Sequence, residues 1–209
     1  MTDRARRYFI PTPGGEVALV FEPSPRSSVL AIIHGAARRS IQLKPWLAHN
    51  AVLIELPGHG QAPWIEGGVA DWARAFQAAL DHLWPGAPVT LVGESLGGVI
   101  SLHMSAGRTI LLDPPMQPTE AVEHEIRHGN VAEWLRPLIR ADYWSLLDAQ
   151  ERVVEVVCGA DGILPEDARA RLACHPRVIY QLVDGGHVLL DDNPEAILQI
   201  VQMAPGRGE

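Results

Sequence analysis

The feature that most constrains this chain is a series of short, apolar runs separated by segments of helical spacing. Val29-Leu30-Ala31-Ile32-Ile33 is apolar at every position, as strands buried on both faces are. Ala51–Leu56, Val89–Val92, Thr109–Leu112, Val153–Val157 and Val178–Val183 repeat the pattern. Between them Ile41–His49, Val69–Trp84, Leu96–Ala106, Pro165–Cys174 and Pro194–Met203 space their apolar residues as helices do. The alternation predicts βαβ units and hence an α/β fold, a mostly parallel twisted sheet with helices on both faces. Right-handed crossovers then align the C-terminal ends of the strands along one edge, where ligands bind in such sheets. Ahead of this series, Tyr8–Ile10 and Glu16–Phe21 flank Pro11-Thr12-Pro13-Gly14-Gly15, the pattern of an antiparallel hairpin.

Gln117–Gln150 breaks the rhythm, because it holds no strand-like run. Two helices are expected there, around Thr119–Arg127 and Val131–Leu147, with Gly129 between them and Pro137 breaking the second. The segment falls between two strands on the side where their C-terminal ends open, the place for a small helical lid. A length of 209 residues suits one domain over 1–209 with this insertion at about 117–150.

Thr90-Leu91-Val92 leads into Gly93-Glu94-Ser95-Leu96-Gly97-Gly98: an apolar strand, a G-x-S-x-G turn and the start of a helix. In that setting the serine sits on a strained turn that lifts its hydroxyl above the sheet, and side chains at 93 or 97 would meet neighbouring backbone. The Leu96 amide points from a helix N-terminus toward the place where an oxyanion forms. Three further motifs follow the same order along the chain: His34-Gly35-Ala36-Ala37 after the third strand, Glu55-Leu56-Pro57-Gly58-His59-Gly60 after the fourth, and Gly159-Ala160-Asp161 followed by Gly185-Gly186-His187 near the end.

Taken together these motifs resemble the α/β-hydrolase superfamily. The chain looks like a compact member with a short lid, with Glu55 where the family's D-x-P-G-H-G turn has Asp. The resemblance implies a serine hydrolase fold and a catalytic triad. A serine hydroxyl needs an adjacent base, and His187, on a Gly-Gly turn after the last strand, fits that role on both grounds. The histidine needs a carboxylate in turn. Asp161 matches the usual family position and is the expected acid; Asp113, in Leu112-Asp113-Pro114-Pro115, is the alternative acid and otherwise reads as a turn former. The resemblance places the oxyanion hole at the backbone amides of Ala36 and Leu96, and small side chains at Ala36 and Ala37 leave the pocket floor open. His34 and His59 are expected to bind loop backbone.

Arg38 and Arg39 directly follow the oxyanion loop and are candidates for holding a carboxylate or phosphate of an anionic acyl substrate, with Arg127, Arg136 or Arg140 above. Trp134, Tyr143 and Trp144 either line an acyl pocket or pack the lid onto the body. Glu120, His124 and His128 recur at helical spacing, and a solvated helix face explains them better than a metal site. No metal or other cofactor is implied.

The formal charge of −8 argues against a nucleic-acid partner, which would want a basic face. No apolar stretch reaches the roughly 20 residues that span a bilayer, and no signal-type apolar segment follows the basic Met1–Arg7. Two cysteines, Cys158 within an apolar run and Cys174, read as reduced thiols of a cytoplasmic protein. The expectation is therefore acyl transfer to water on a small carboxylic ester or thioester. Amide or carbon–carbon bond hydrolysis on the same triad, and a non-catalytic binding module on the hydrolase fold, stay open.

Overall fold

A computed structural model describes residues 5–36, 38–129 and 131–203. Ala37 of the expected oxyanion loop and Met1–Arg4 of the basic N-terminus lie outside the described residues. The strands are β1 (Arg6–Thr12), β2 (Gly15–Phe21), β3 (Val29–Ile33), β4 (Ala51–Ile54), β5 (Val89–Glu94), β6 (Arg108–Leu112), β7 (Val154–Gly159) and β8 (Val178–Val183). They form one eight-stranded sheet in the order β1-β2-β4-β3-β5-β6-β7-β8. β3 to β8 run parallel, and only β2 opposes its neighbours. Each apolar run in the sequence is a strand in this sheet.

Period-two alternation divides each central strand between two cores. Ala31, Ile33, Val52, Leu91 and Leu111 face one side, and Ile32, Leu53, Val92, Ile110 and Val157 the other. The helices are α1 (Val69–Leu83), α2 (Leu96–Leu102), α3 (Glu120–Arg127), α4 (Arg136–Ile139), α5 (Trp144–Asp148), α6 (Glu166–Ala173), α7 (Leu189–Asp192) and α8 (Pro194–Gln202). α1, α2 and α6 cover the first face through residues such as Trp72, Phe76, Val99 and Leu172. On the other face lie Leu190 of α7, Ile197 and Ile200 of α8, and Leu43 and Trp46. Those last two belong to Ser40–His49, which winds as a 3-10 helix with Pro45 inside it, since proline removes an α-helical donor and its ring clashes with the preceding turn.

The 117–150 segment lies between β6 and β7 and is helical, but not as two helices. Thr119 caps α3, its side chain accepting from the Val122 amide at 3.2 Å. The expected second helix, Val131–Leu147, is instead three short pieces: a 3-10 turn at Glu133–Leu135, α4 and α5. Pro137 falls in the first turn of α4, where proline is tolerated as a start rather than a continuation. Asp142 leads into α5 by accepting from the amide of its first residue, Trp144, at 2.9 Å.

Candidate active site

The chemistry-bearing residues converge because each follows a parallel strand at its C-terminal end. Ser95 follows β5, Asp113 follows β6, His34 follows β3 and Glu55 follows β4, while His187 lies four residues beyond β8. Ser95 has φ +53° and ψ −121°, a conformation that costs a non-glycine residue of order 1–3 kcal/mol. The turn is possible because its glycines let backbone approach backbone. A Cβ on Gly93 would lie 2.4 Å from the Gly97 carbonyl oxygen, and one on Gly97 would lie 2.2 Å from that of Ile33. Ser95 is thereby lifted to the sheet edge, and Leu96, the first residue of α2, keeps an amide without an intrahelical acceptor.

His187 lies between a hydroxyl and a carboxylate. Its Nδ1 is 2.7 Å from Asp113 Oδ2 and its Nε2 is 3.0 Å from Ser95 Oγ. An ionised carboxylate only accepts, so Nδ1 carries the proton, and Nε2 accepts from the Ser95 hydroxyl. Two hydrogen bonds shape the histidine's own loop: Asp192 Oδ2 accepts from the amides of Gly186 at 3.0 Å and Val188 at 3.3 Å.

The carboxylate paired with His187 is that of Asp113, which corrects the expectation for Asp161. Asp161 is exposed in the turn after β7, and its contribution is a main-chain one, its amide donating to the Gly185 carbonyl at 2.9 Å. Asp113 is fully buried, with φ +43°, and its Oδ2 also accepts from the Ile163 amide at 2.9 Å. Gly162 makes room for it, since a Cβ there would come 2.5 Å from Asp113 Oδ1. The turn that carries Asp161 thus cradles the neighbouring strand's acid instead of supplying one. Behind it, burial and the Asp113 charge push the Cys158 thiol up to about 12, leaving a neutral core residue.

Opposite Ser95 runs the loop after β3. A Cβ on Gly35 would lie 3.0 Å from that of Ser95, so the loop abuts the elbow. His59 Nε2 lies 2.6 Å from the Ala36 carbonyl and its Nδ1 3.1 Å from that of Pro57. Burial pulls the His59 ring's pKa below its ordinary value, although both carbonyls favour its charged form. His34 holds loop backbone too, its Nδ1 on the Gly35 carbonyl at 2.8 Å and its Nε2 receiving the Leu56 amide at 3.1 Å.

The two arginines separate. Arg38 is 6% exposed; Nη1 donates to Glu94 Oε2 and Nη2 to Asp191 Oδ2, each at 2.7 Å. Its charge is thus matched twice within the protein, although it borders the cavity over Ser95. Glu94, the residue before Ser95, was not singled out by sequence reasoning; the signal was there in an acid ending an apolar strand. Burial pushes its carboxyl above the usual range despite Arg38. Arg39 is exposed and, among the described residues, forms no ion pair.

A cavity of about 370 Å³ opens over Ser95, Ala36 and His187. Its walls are mostly apolar, with Pro115, Val122, Val131, Ile139, Ile163 and Val188 among them. A second cavity of about 300 Å³ shares Ala36, Arg38, Val131 and Ile139 with the first and is bounded by Arg39, His59 and Trp134. Trp134 packs edge-on to His59 and Trp64. Trp144, the other candidate pocket residue, lines neither cavity: it is buried, its Nε1 donates to Gln117 at 2.8 Å, and Arg171 stacks over its ring at 4.0 Å. It fastens the insertion to the body. Arg140 is likewise engaged, its Nε and Nη2 each donating to Glu123 at 2.6 Å. His124 and His128 lie with ring centroids 4.0 Å apart, and among the described residues no three such side chains form a metal-sized group. Also among the described residues, no helix is long and apolar enough to cross a membrane.

A hydroxyl, an imidazole and a buried carboxylate in line can deprotonate the hydroxyl for attack on a carbonyl and hold the resulting imidazolium. Known proteins resemble this chain in sequence and in fold. A family model described as the alpha/beta hydrolase family matches residues 30–153. The lipase LipV of Mycobacterium tuberculosis is 35% identical over 108 residues, 45% of this chain and 40% of that protein. Among solved structures, naproxen esterase from Bacillus subtilis superposes with a TM-score of 0.74 at 15% identity, covering 95% of this chain and 90% of its own. The thioesterase domain from the curacin biosynthetic pathway gives 0.71 at 17% identity, covering 95% and 99%. At those identities the structural matches speak for the fold.

Proposed function

The chain belongs to the alpha/beta hydrolase family, and we propose that it is a serine-dependent hydrolase of small carboxylic esters or thioesters. The observation that carries this reading is the continuous Ser95–His187–Asp113 line, 3.0 and 2.7 Å long in its two steps, at the base of an apolar cavity. His187 takes the Ser95 proton as Oγ attacks the carbonyl carbon. The carbonyl oxygen becomes an oxyanion between the amides of Ala36 and Leu96. Collapse expels the leaving group, protonated by His187, and leaves an ester on Ser95. Water, deprotonated by the same imidazole, releases the acid and restores the hydroxyl. The lipase, esterase and thioesterase named among its relatives support acyl hydrolysis. The helical insertion acts as the lid of a single domain, and its apolar Val122, Val131 and Ile139 suit an aliphatic acyl group. Two free cysteines support a reducing, cytoplasmic setting.

A fluorophosphonate probe tests the mechanism. Wild-type protein should take up one probe per chain, and Ser95→Ala none; an unlabelled wild type would sink the reading. The second cavity adds a preference. Arg39 at its edge can receive a carboxylate or phosphate on the substrate with its charge unspent, whereas Arg38 beside it is already paired with Glu94 and Asp191. Arg39→Gln should raise KM about 10-fold for acidic esters and leave neutral esters within about twofold. Equal effects on both would remove the preference and leave the mechanism standing.

A further inference from the structure

Arg38 joins three segments that are distant in sequence and adjacent in space. It lies two residues after Ala36; its first partner, Glu94, immediately precedes Ser95; its second, Asp191, lies four residues after His187. The far side of Glu94 is occupied too, because Oε1 accepts from the Leu190 amide at 3.2 Å. One planar guanidinium therefore spans the loop expected to supply an oxyanion donor, the serine turn and the histidine's segment. Within its own loop the Arg38 amide donates to the Gly35 carbonyl at 3.1 Å, closing a turn around Ala36. Fixing Arg38 therefore fixes the direction of the Ala36 peptide from one end, while His59 holds its carbonyl from the other.

Two general points argue against reading this as stability alone. A buried ion pair rarely stabilises a fold more than apolar side chains of the same volume would. A forked guanidinium on two carboxylates does set distance and angle, which packing alone does not.

On the serine-hydrolase reading, we propose that Arg38 is a positioning residue: although it borders the cavity over Ser95, its two arms are spent on Glu94 and Asp191, and with them it holds the Ala36 amide in register with Ser95 and His187 rather than binding substrate. The test measures kcat and KM separately on a short neutral ester, p-nitrophenyl butyrate, for Arg38→Met, Arg38→Lys, Glu94→Gln and the Arg38→Met/Glu94→Gln pair. Arg38→Met should lower kcat about 10- to 100-fold, the scale of a misdirected oxyanion donor, with KM within about twofold. Arg38→Lys, which keeps the charge without the fork, should fall between it and the parent. The double variant should be no worse than Arg38→Met, because both changes remove one unit. Fluorophosphonate uptake should slow in the same order yet still reach one per chain.

A folded Arg38→Met protein with kcat within twofold of the parent would overturn the proposal. So would a raised KM at unchanged kcat, which marks a substrate contact, or a multiplicative loss in the double variant. Should Arg38→Met melt below the assay temperature, Arg38→Lys and Glu94→Gln carry the test, and either one at parental kcat overturns it. Failure of the underlying reading is distinct, because the parent would then take up no probe.

Discussion

Asp113 and Asp161 differ in what the backbone does with them. Asp113 leaves β6 in the left-handed region, which turns its carboxylate under the His187 ring, and burial removes water as a competitor for that hydrogen bond. Asp161 reaches the same neighbourhood and spends only its amide on it. Asp113→Asn should therefore lower kcat by about 10⁴, the scale seen when a triad acid loses its charge, and Asp161→Asn should stay within about twofold, as exposed substitutions do. Steady-state rates on one neutral ester decide between them; a reversed ranking would return the acid to Asp161. Ser95 and His187 were legible because strand, glycine turn and helix mark their places in the chain. The acid was not. Which of two neighbouring strand ends reaches the imidazole depends on a single φ angle and on the space left by Gly162, neither of which has a periodic signature.

Elements position these residues by close approach of their ends. α2 starts only 2.2 Å, measured from a Cβ on Gly97, from the Ile33 carbonyl at the end of β3. That proximity is what sets the Leu96 amide beside the loop carrying Ala36. Gly97→Ala must push α2 and β3 apart. Overpacking of this kind costs about 3 kcal/mol, which for a chain of this size is a fall of about 6–12 °C in Tm. A thermal melt checks the value, and an unchanged Tm would mean that the contact relaxes freely. Strands and long helices were readable from periodicity because burial on a sheet enforces it. In the 117–150 insertion the pieces after α3 are three to five residues long, too short for periodicity to register, and Pro137 and Asp142 rather than hydrophobic spacing set their limits.

Across the whole molecule two of the buried glutamates, Glu55 and Glu94, respond to acid in opposite senses. Glu55 follows β4 and ties the outer half of the sheet to the loop after β3: Ser40 reaches it with hydroxyl and amide, Arg7 of β1 lies 3.1 Å away and His34 after β3 3.3 Å away. Burial alone would raise its carboxyl, but its contact with His34 and its hydrogen bonds from Ser40 hold it at about 2, against 4.5 for a free glutamate. A folded-state value below the unfolded one means stability that is full above pH 4.5 and lost as pH falls toward 2. The displacement corresponds to at most about 3 kcal/mol. Glu94 is raised by burial, so its contribution is present at low pH and lost as pH rises through its folded value. Only Glu55 therefore drives acid unfolding in this pair. Denaturant titrations of wild type and Glu55→Gln at intervals from pH 6 to pH 2 measure it. The wild-type curve should fall more steeply between pH 4.5 and 2, by up to about 3 kcal/mol in total, because the glutamine has no proton to gain. Parallel curves would show that the carboxylate at the centre of this cluster titrates as it would in water. The hydrogen bonds around it would then hold the loop without storing any charge-dependent stability.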